Sequence, residues 1–122
     1  MTQKPQTLTQ EDLRQFGGTE FWYRHAIQRH ILFTDGAKYV ADNAGAYWLL
    51  DEIAFGQMET CIANQLFQHW KLKVKPDATA TLTCEDGNCN TVFTKHISFT
   101  DFPLEMISFF FTDNVILLPS EY

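Results

Sequence analysis

Apolar residues in the second half of the chain recur mostly at every second position, a period that is typical of half-buried β-strands. Asp86-Gly87 and Asp113-Asn114 separate neighbouring apolar runs, and such pairs favour the positive φ angles that tight hairpin turns require. This half of the chain therefore predicts a series of hairpin-connected, antiparallel strands. The predicted strands cover residues 67–74, 79–85, 90–99, 107–112 and 115–118.

The central stretch contains another Asp-Gly pair, at Asp35-Gly36, between the apolar runs 30–34 and 37–41. Glycine adopts a positive φ angle without a steric penalty, and aspartate tolerates one. The pattern therefore predicts a third hairpin, whose strands are 30–34 and 37–41 and whose turn is Asp35-Gly36.

A helical period begins after Asp42-Asn43, where either side chain offers an oxygen that can cap a helix. We expect the main helix at about 44–56, with a broad apolar face on the sheet. The opposite face is partly apolar as well, because it carries Trp48 and Phe55. These two rings need a cover, which is either another segment of this chain or a partner subunit or ligand. The face expected on the sheet comprises Ala46, Tyr47, Leu49, Leu50, Ile53 and Ala54.

The remaining pattern predicts two shorter helices and a polar lead-in. A T-x-x-D sequence resembling a capping box precedes a possible helix at 10–16, and apolar residues at helical spacing favour another at 58–66. Residues 1–8 are the lead-in. We expect a single domain, residues 1–122, of the α+β class: a mostly antiparallel sheet of hairpin-connected strands with one main helix packed on it.

Charge and composition narrow the function classes. The net charge is −6, and the basic residues form no cluster, which argues against direct nucleic-acid binding through phosphate contacts. The polar N-terminal residues contain no signal-peptide core, and no stretch approaches a membrane span, so we expect a cytoplasmic protein without membrane contact. Aromatic residues make up 15% of the chain, which predicts a core filled with rings or one enlarged by an interface.

The three cysteines are odd in number, which fits reduced thiols better than a secreted disulfide framework. Cys84 and Cys89 are expected to face each other across the second Asp-Gly turn, at a distance that permits a disulfide. A zinc site would need two more ligands; Cys61 and His96 are candidates, but their spacing does not indicate a site. We therefore predict neither a metal nor a cofactor, and the pair is either two idle thiols or an opportunistic disulfide.

Several segments resemble an uncharacterised bacterial domain family of unknown function, with members in cyanobacteria and on phages and plasmids. The resemblance implies a free-standing domain but no established activity, substrate or catalytic residue. The segments that carry it are WYRH at 22–25, the stretch 32–54, WKLKV at 70–74, ISFTDFPL at 97–104 and VILLPSEY at 115–122.

One polar–aromatic group is a candidate binding pocket. Asp51 lies between apolar helix residues, so it should be partly desolvated and seek a cation, for which Arg24 or Arg29 is the expected partner. The group is a structural salt bridge that docks residues 19–29 on the helix, a ligand pocket, or an acid–base site. Its members are Tyr23, Arg24, His25, Tyr47 and Asp51.

These observations favour a small non-enzymatic interaction domain whose partner is a protein, either itself or another. Trp48 and Phe55 are the candidate interface. The alternative is a small enzyme or small-molecule-binding protein that uses the site around Arg24, His25 and Asp51. A third interpretation, a nucleic-acid mimic that acts through acidic charge, rests on the net charge of −6 and the mobile-element resemblance alone.

Overall fold

The computed structural model describes residues 8–122, and its largest element is one seven-stranded sheet. The strands lie side by side in the order first, second, seventh, sixth, third, fourth, fifth. All neighbouring strands are antiparallel except the second and seventh, which are parallel. The strands are β1 Trp22–Arg24, β2 Leu32–Thr34, β3 Phe67–Val74, β4 Ala80–Glu85, β5 Thr91–Ile97, β6 Met106–Thr112 and β7 Val115–Leu117.

Helices lie on one face of this sheet. Among the described residues, the two longest helices have ten residues each. The second helix in chain order packs on β1, β2 and β7. The third helix is joined to β5 by a salt bridge between Glu52 and Lys95. The buried core lies between these helices and the sheet. The helices are α1 Gln10–Leu13, α2 Asp35–Ala44, α3 Tyr47–Gly56 and α4 Thr60–Ala63, and a 3-10 helix spans Pro119–Glu121.

The predicted α+β class is confirmed, and several elements match closely. The strand predicted at 67–74 is β3. The last hairpin turns through Asp113 and Asn114, whose φ angles of 54° and 63° fit the predicted tight turn. Thr9 and Asp12 form the capping box, in which each side chain accepts the other residue's backbone N–H.

The hairpin predicted around Asp35-Gly36 is wrong, because residues 35–44 form helix α2. The Thr34 hydroxyl caps the helix by accepting the Ala37 N–H, and Gly45 ends it with a φ angle of 60°. The period-two interpretation failed because Asp-Gly is equally suited to the first turn of a helix. The apolar residues that it overlooked have helical spacing: Ala37, Val40, Ala41 and Ala44.

Gly36 is required for space rather than for a turn. A Cβ atom at this position would lie 2.6 Å from Oε1 of Glu121, whose Oε2 accepts the Gly36 N–H at 3.0 Å. Residues after β7 therefore fold back onto the start of α2.

The helix boundaries also differ from the predictions. The main helix begins at Tyr47 rather than at 44, because Gly45 separates it from α2, and α4 is shorter than the predicted 58–66. The lead-in predicted at 1–8 lies outside the described residues except for Leu8, which is buried.

A buried amide fastens the end of α3 and α4 to β3. Oε1 of Gln68 accepts the Trp70 indole N–H at 2.9 Å and the Gln57 amide N–H at 2.8 Å. Nε2 of Gln68 donates to the Ile62 carbonyl at 2.9 Å. Gly56 lies against the Trp70 ring, where a Cβ atom would be 2.8 Å from the indole. These contacts satisfy the polar atoms of a fully buried residue.

Candidate functional site

The predicted polar–aromatic residues divide between the two faces of β1. Tyr23 points towards the helices, where its hydroxyl donates to Asp35 at 2.9 Å. Arg24 alternates to the other face, and its Nη1 donates to the Arg29 carbonyl at 3.0 Å. Asp51 therefore does not bind Arg24 or Arg29 as predicted.

Asp51 binds His25 instead, at 2.7 Å from Nε2 of the ring. Nδ1 of the buried His25 accepts the backbone N–H groups of Gln28 at 3.0 Å and Ile27 at 3.2 Å. Because Nδ1 is an acceptor, the ring proton is on Nε2 and is donated to Asp51. Both ring nitrogens are thus occupied, and His25 has no free lone pair with which to act as a general base. The pair holds the loop after β1 on α3.

Tyr47 belongs to a neighbouring group in which every polar atom has a partner. Its hydroxyl donates to Asp42, which also binds Lys38 at 2.6 Å. Burial, followed by the Asp42 hydrogen bond, raises the pKa of Tyr47. The hydrogen bond to Asp35 raises the pKa of Tyr23 in the same way. Neither phenol is activated towards proton loss.

Trp48 and Phe55 are covered in part by their own chain. Trp48 is half-buried and lines a cavity of about 210 Å³ together with Ile97 and Phe99. Phe55 packs edge-on against His25, with ring centroids 5.7 Å apart, and remains 38% exposed. Whether this surface binds a partner stays a prediction.

The opposite face of the sheet is the surface that the sequence analysis missed. Helices α2, α3 and α4 pack on the other side, and within residues 8–122 this face is contacted by Tyr122 at the end of the 3-10 helix. Its side chains form a mainly apolar row across five strands. The available signal was the run Phe109-Phe110-Phe111, which is apolar on both faces of its strand. We call this surface the bare face; its apolar members are Trp22, Leu32, Phe67, Phe110, Val115, Leu117 and Tyr122.

An aromatic cluster forms the centre of the bare face. The ring centroids of Phe67 and Phe110 are 4.8 Å apart, and Tyr122 lies 5.4 Å from each. His69 packs edge-on to Phe110 at 5.0 Å. Its Nε2 is buried without a hydrogen-bond partner in the described part of the chain. Burial, followed by the charge of Lys71, holds the pKa of His69 below its usual range.

Few charges accompany the apolar row. Lys71 binds Glu85 at 3.2 Å on this face, while Lys73 enters no ion pair with any residue from 8 to 122. Arg24 lies at the β1 side. Counted over residues 8–122, the bare face thus holds three cations and one anion, so the acidic excess of the chain lies elsewhere.

Both edges of the sheet are protected against strand addition. β1 has only three residues. β5 has seven, but Lys95 points inward to Glu52 at 2.7 Å, and inward charges on edge strands oppose pairing with another chain. Association through a sheet edge is therefore disfavoured, and the bare face remains.

Cysteine chemistry finds little support in the geometry. Cys84 pairs across the sheet with Phe93 and not with Cys89 as predicted, because the connection has more than two residues and a bulge shifts the register. Burial raises the pKa of the Cys84 thiol to about 12. No group of three potential metal ligands occurs within residues 8–122. His69 and His96 lie on β3 and β5, which are separated by β4.

The fold thus defines a two-layer α+β domain with one sheet face covered by helices and the other bare. Residues 7–122 match the family described as Family of unknown function (DUF6876), and the chain belongs to that family. No curated protein and no solved structure matches it. Across the described residues, no helix is long and apolar enough to cross a membrane.

Proposed function

We propose that this chain is a non-enzymatic interaction domain that binds protein through the bare face of its sheet, and that a second copy of the chain occupies this face. The observation that carries the proposal is the apolar row, in which Trp22 is 55% exposed and Tyr122 is 72% exposed. Monomeric proteins rarely expose a large contiguous apolar surface, and such a surface usually marks an interaction site.

The size of the face supports a dimer. Four strands of six to eight residues and three of three residues project over roughly 600 Å², given strand spacings of about 4.8 Å. Two such faces would bury roughly 1,200 Å², the lower end of the range for specific protein–protein interfaces. Stacked sheets of this type are common, with inner side chains that interdigitate.

The charges are compatible with a second copy as the occupant, because the bare face carries both signs. A symmetric contact brings the same surface together twice, so it must be close to neutral or carry both signs. The bare face holds the Lys71–Glu85 pair on β3 and β4, beside the aromatic cluster, and the cations Arg24 and Lys73 towards its margins. Apolar groups at the centre and charges at the rim are the usual anatomy of an interface.

The alternative, an enzyme that uses Arg24, His25 and Asp51, has less support. Both nitrogens of His25 are occupied, and Arg24 points to the other face of the sheet. The expected occurrence of this family in cyanobacteria and on mobile elements, and a cytoplasmic location, stay predictions.

The test is sedimentation velocity over a range of protein concentrations. We expect a monomer–dimer equilibrium whose dissociation constant rises at least tenfold in Trp22→Ala and in Tyr122→Ala. Both side chains are largely exposed, so the variants should fold. The matched controls are Met58→Ala and Phe99→Ala, which are 72% and 71% exposed outside the bare face. A protein that stays monomeric at the highest concentration, or controls that weaken the dimer equally, would overturn the proposal.

A further inference from the structure

A second cavity lies at the other end of β6, where Met106 and Ser108 share the sheet face of Phe110. Its volume of about 380 Å³ is within the usual range of small-molecule sites. Ile107 and Leu118 are buried beneath it, and α1 forms one wall. The full lining is Gln10, Leu13, Arg14, Met106, Ile107, Ser108, Leu118, Pro119 and Ser120.

The cavity exists because β7 is shorter than β6. β7 ends at Leu117. The next N–H that would continue the hydrogen bonds to β6 belongs to position 119, and Pro119 has no N–H. The first half of β6 therefore has a free edge. Gln10 occupies part of it, since its amide donates to the Met106 carbonyl at 2.9 Å.

The backbone of Ser108 points into this gap. Glu105 accepts the Val74 N–H and so faces β3. Backbone groups alternate along a strand, so Met106 and Ser108 face away from β3, towards the cavity. Among the described residues, no backbone bond outside the helices and strands uses the Ser108 N–H, which points towards the cavity as a donor.

Among the described residues, Arg14 supplies the only charge in the lining. Its guanidinium forms no ion pair with residues 8–122, although the chain as a whole is acidic. The hydroxyl of Ser120 makes only a long contact, 3.4 Å, with the Leu13 carbonyl. The Arg14 guanidinium, the Ser108 N–H and the Ser120 hydroxyl are thus three donors around an apolar cavity. A guanidinium group favours a carboxylate because it can bind both of its oxygens.

We propose that this cavity binds a small carboxylic acid with an apolar tail. The tail lies on Ile107 and Leu118, and the carboxylate accepts from Arg14, the Ser108 N–H and the Ser120 hydroxyl. The chemistry is that of a medium-chain aliphatic acid or a comparable aromatic acid.

The test is an NMR titration of the ¹⁵N-labelled full chain with octanoate, and with octanol as the uncharged probe. We expect saturable shifts of the amides of Arg14, Ser108 and Ser120, and weaker binding of octanol. Arg14→Gln should weaken octanoate binding about tenfold, as the loss of a charge-assisted hydrogen bond predicts. The matched control is Arg29→Gln, which removes the same charge from an exposed residue outside the cavity and should leave affinity unchanged.

Three results would overturn the inference. They are the absence of saturable shifts with octanoate, shifts confined to other parts of the molecule, and equal losses of affinity in Arg14→Gln and Arg29→Gln. None of them bears on the bare face, because the dimer equilibrium is measured separately.

Discussion

The Glu121 carboxylate lies at the first turn of α2 and accepts the backbone N–H of Gly36 at 3.0 Å. It also accepts the Thr34 hydroxyl at 2.6 Å and the Leu118 N–H at 2.8 Å. A negative group at this end of a helix is favoured by the unpaired N–H groups and by the helix dipole. One carboxylate therefore joins β2, α2 and the segment after β7, and its approach leaves no room for a side chain at Gly36.

Gly36→Ala should lower the stability of the protein. Alanine is normally better than glycine in a helix by about 1 kcal/mol, but here its Cβ atom would lie 2.6 Å from Glu121 and 2.7 Å from a Leu118 methyl group. The variant should melt at a lower temperature when unfolding is followed by circular dichroism. Gly17→Ala is the control, because a Cβ atom there meets nothing within 4 Å. A higher melting temperature for Gly36→Ala would refute the close approach. In a Glu121→Ala background, the same substitution should cost less, since one of the two clashes is gone.

Asp51→Ala should destabilise the protein. The buried His25 N–H would lose its acceptor, which typically costs about 1–3 kcal/mol, and the lower end applies because Asp51 is half-exposed and water can replace it. Urea denaturation measures the change in the free energy of unfolding. Glu52→Ala is the neighbouring control, and it should cost less because a partly exposed ion pair contributes little. Unchanged stability in Asp51→Ala would mean that the pair does not dock the loop.

His69 should make the protein less stable in mild acid. Its pKa is held below the ordinary value of 6.5 by burial and by Lys71, while Glu85 across the strand pair opposes the shift. The unfolded chain therefore binds the proton first, and stability falls as the pH drops below about 6.5. Urea unfolding between pH 7 and pH 5 should show a steeper loss in the wild type than in His69→Gln. His96→Gln, at an exposed position on β5, should retain the wild-type slope. Identical slopes in all three proteins would contradict the prediction.

Cys84 should resist alkylation of the native protein. The thiolate is the reactive form, and the side chain is buried with a pKa of about 12. Iodoacetamide at pH 8, followed by peptide mass spectrometry, should modify the exposed Cys61 and Cys89 first. In urea all three should react. Rapid modification of Cys84 under native conditions would show that β4 opens far more readily than its packing indicates, and a Cys84–Cys89 disulfide would contradict the register of β4 and β5.

Local sequence was informative wherever one short-range rule acted alone. The alternation at 67–74 and the Asp113-Asn114 turn were both predicted correctly, because a half-buried strand and a two-residue turn impose their own residue preferences. The Asp35-Gly36 prediction failed because two rules competed. The pair satisfies a hairpin turn, but it also fits a helix start, and the residue that selects the helix start, Glu121, is 85 positions further along the chain. The prediction for the partner of Asp51 was also wrong. Strand alternation places Arg24 on the other face of the sheet, and His25, directly after β1, lies against Asp51 instead.

By itself, the sequence determined the α+β class, most strands of the second half, the apolar face of α3 and the acidic charge, because these follow from periods and composition. Tyr47 is the exception on α3, since it was predicted on the buried face and is 42% exposed. Only the tertiary structure decided which sheet face the helices leave bare, how His25 uses both ring nitrogens, and where the end of β7 opens a cavity beside Arg14. Each of these depends on strand order, which brings together residues that are distant along the chain. Periodicity shows on which face of its own helix or strand a side chain lies, but it does not show which residues of other elements that face contacts.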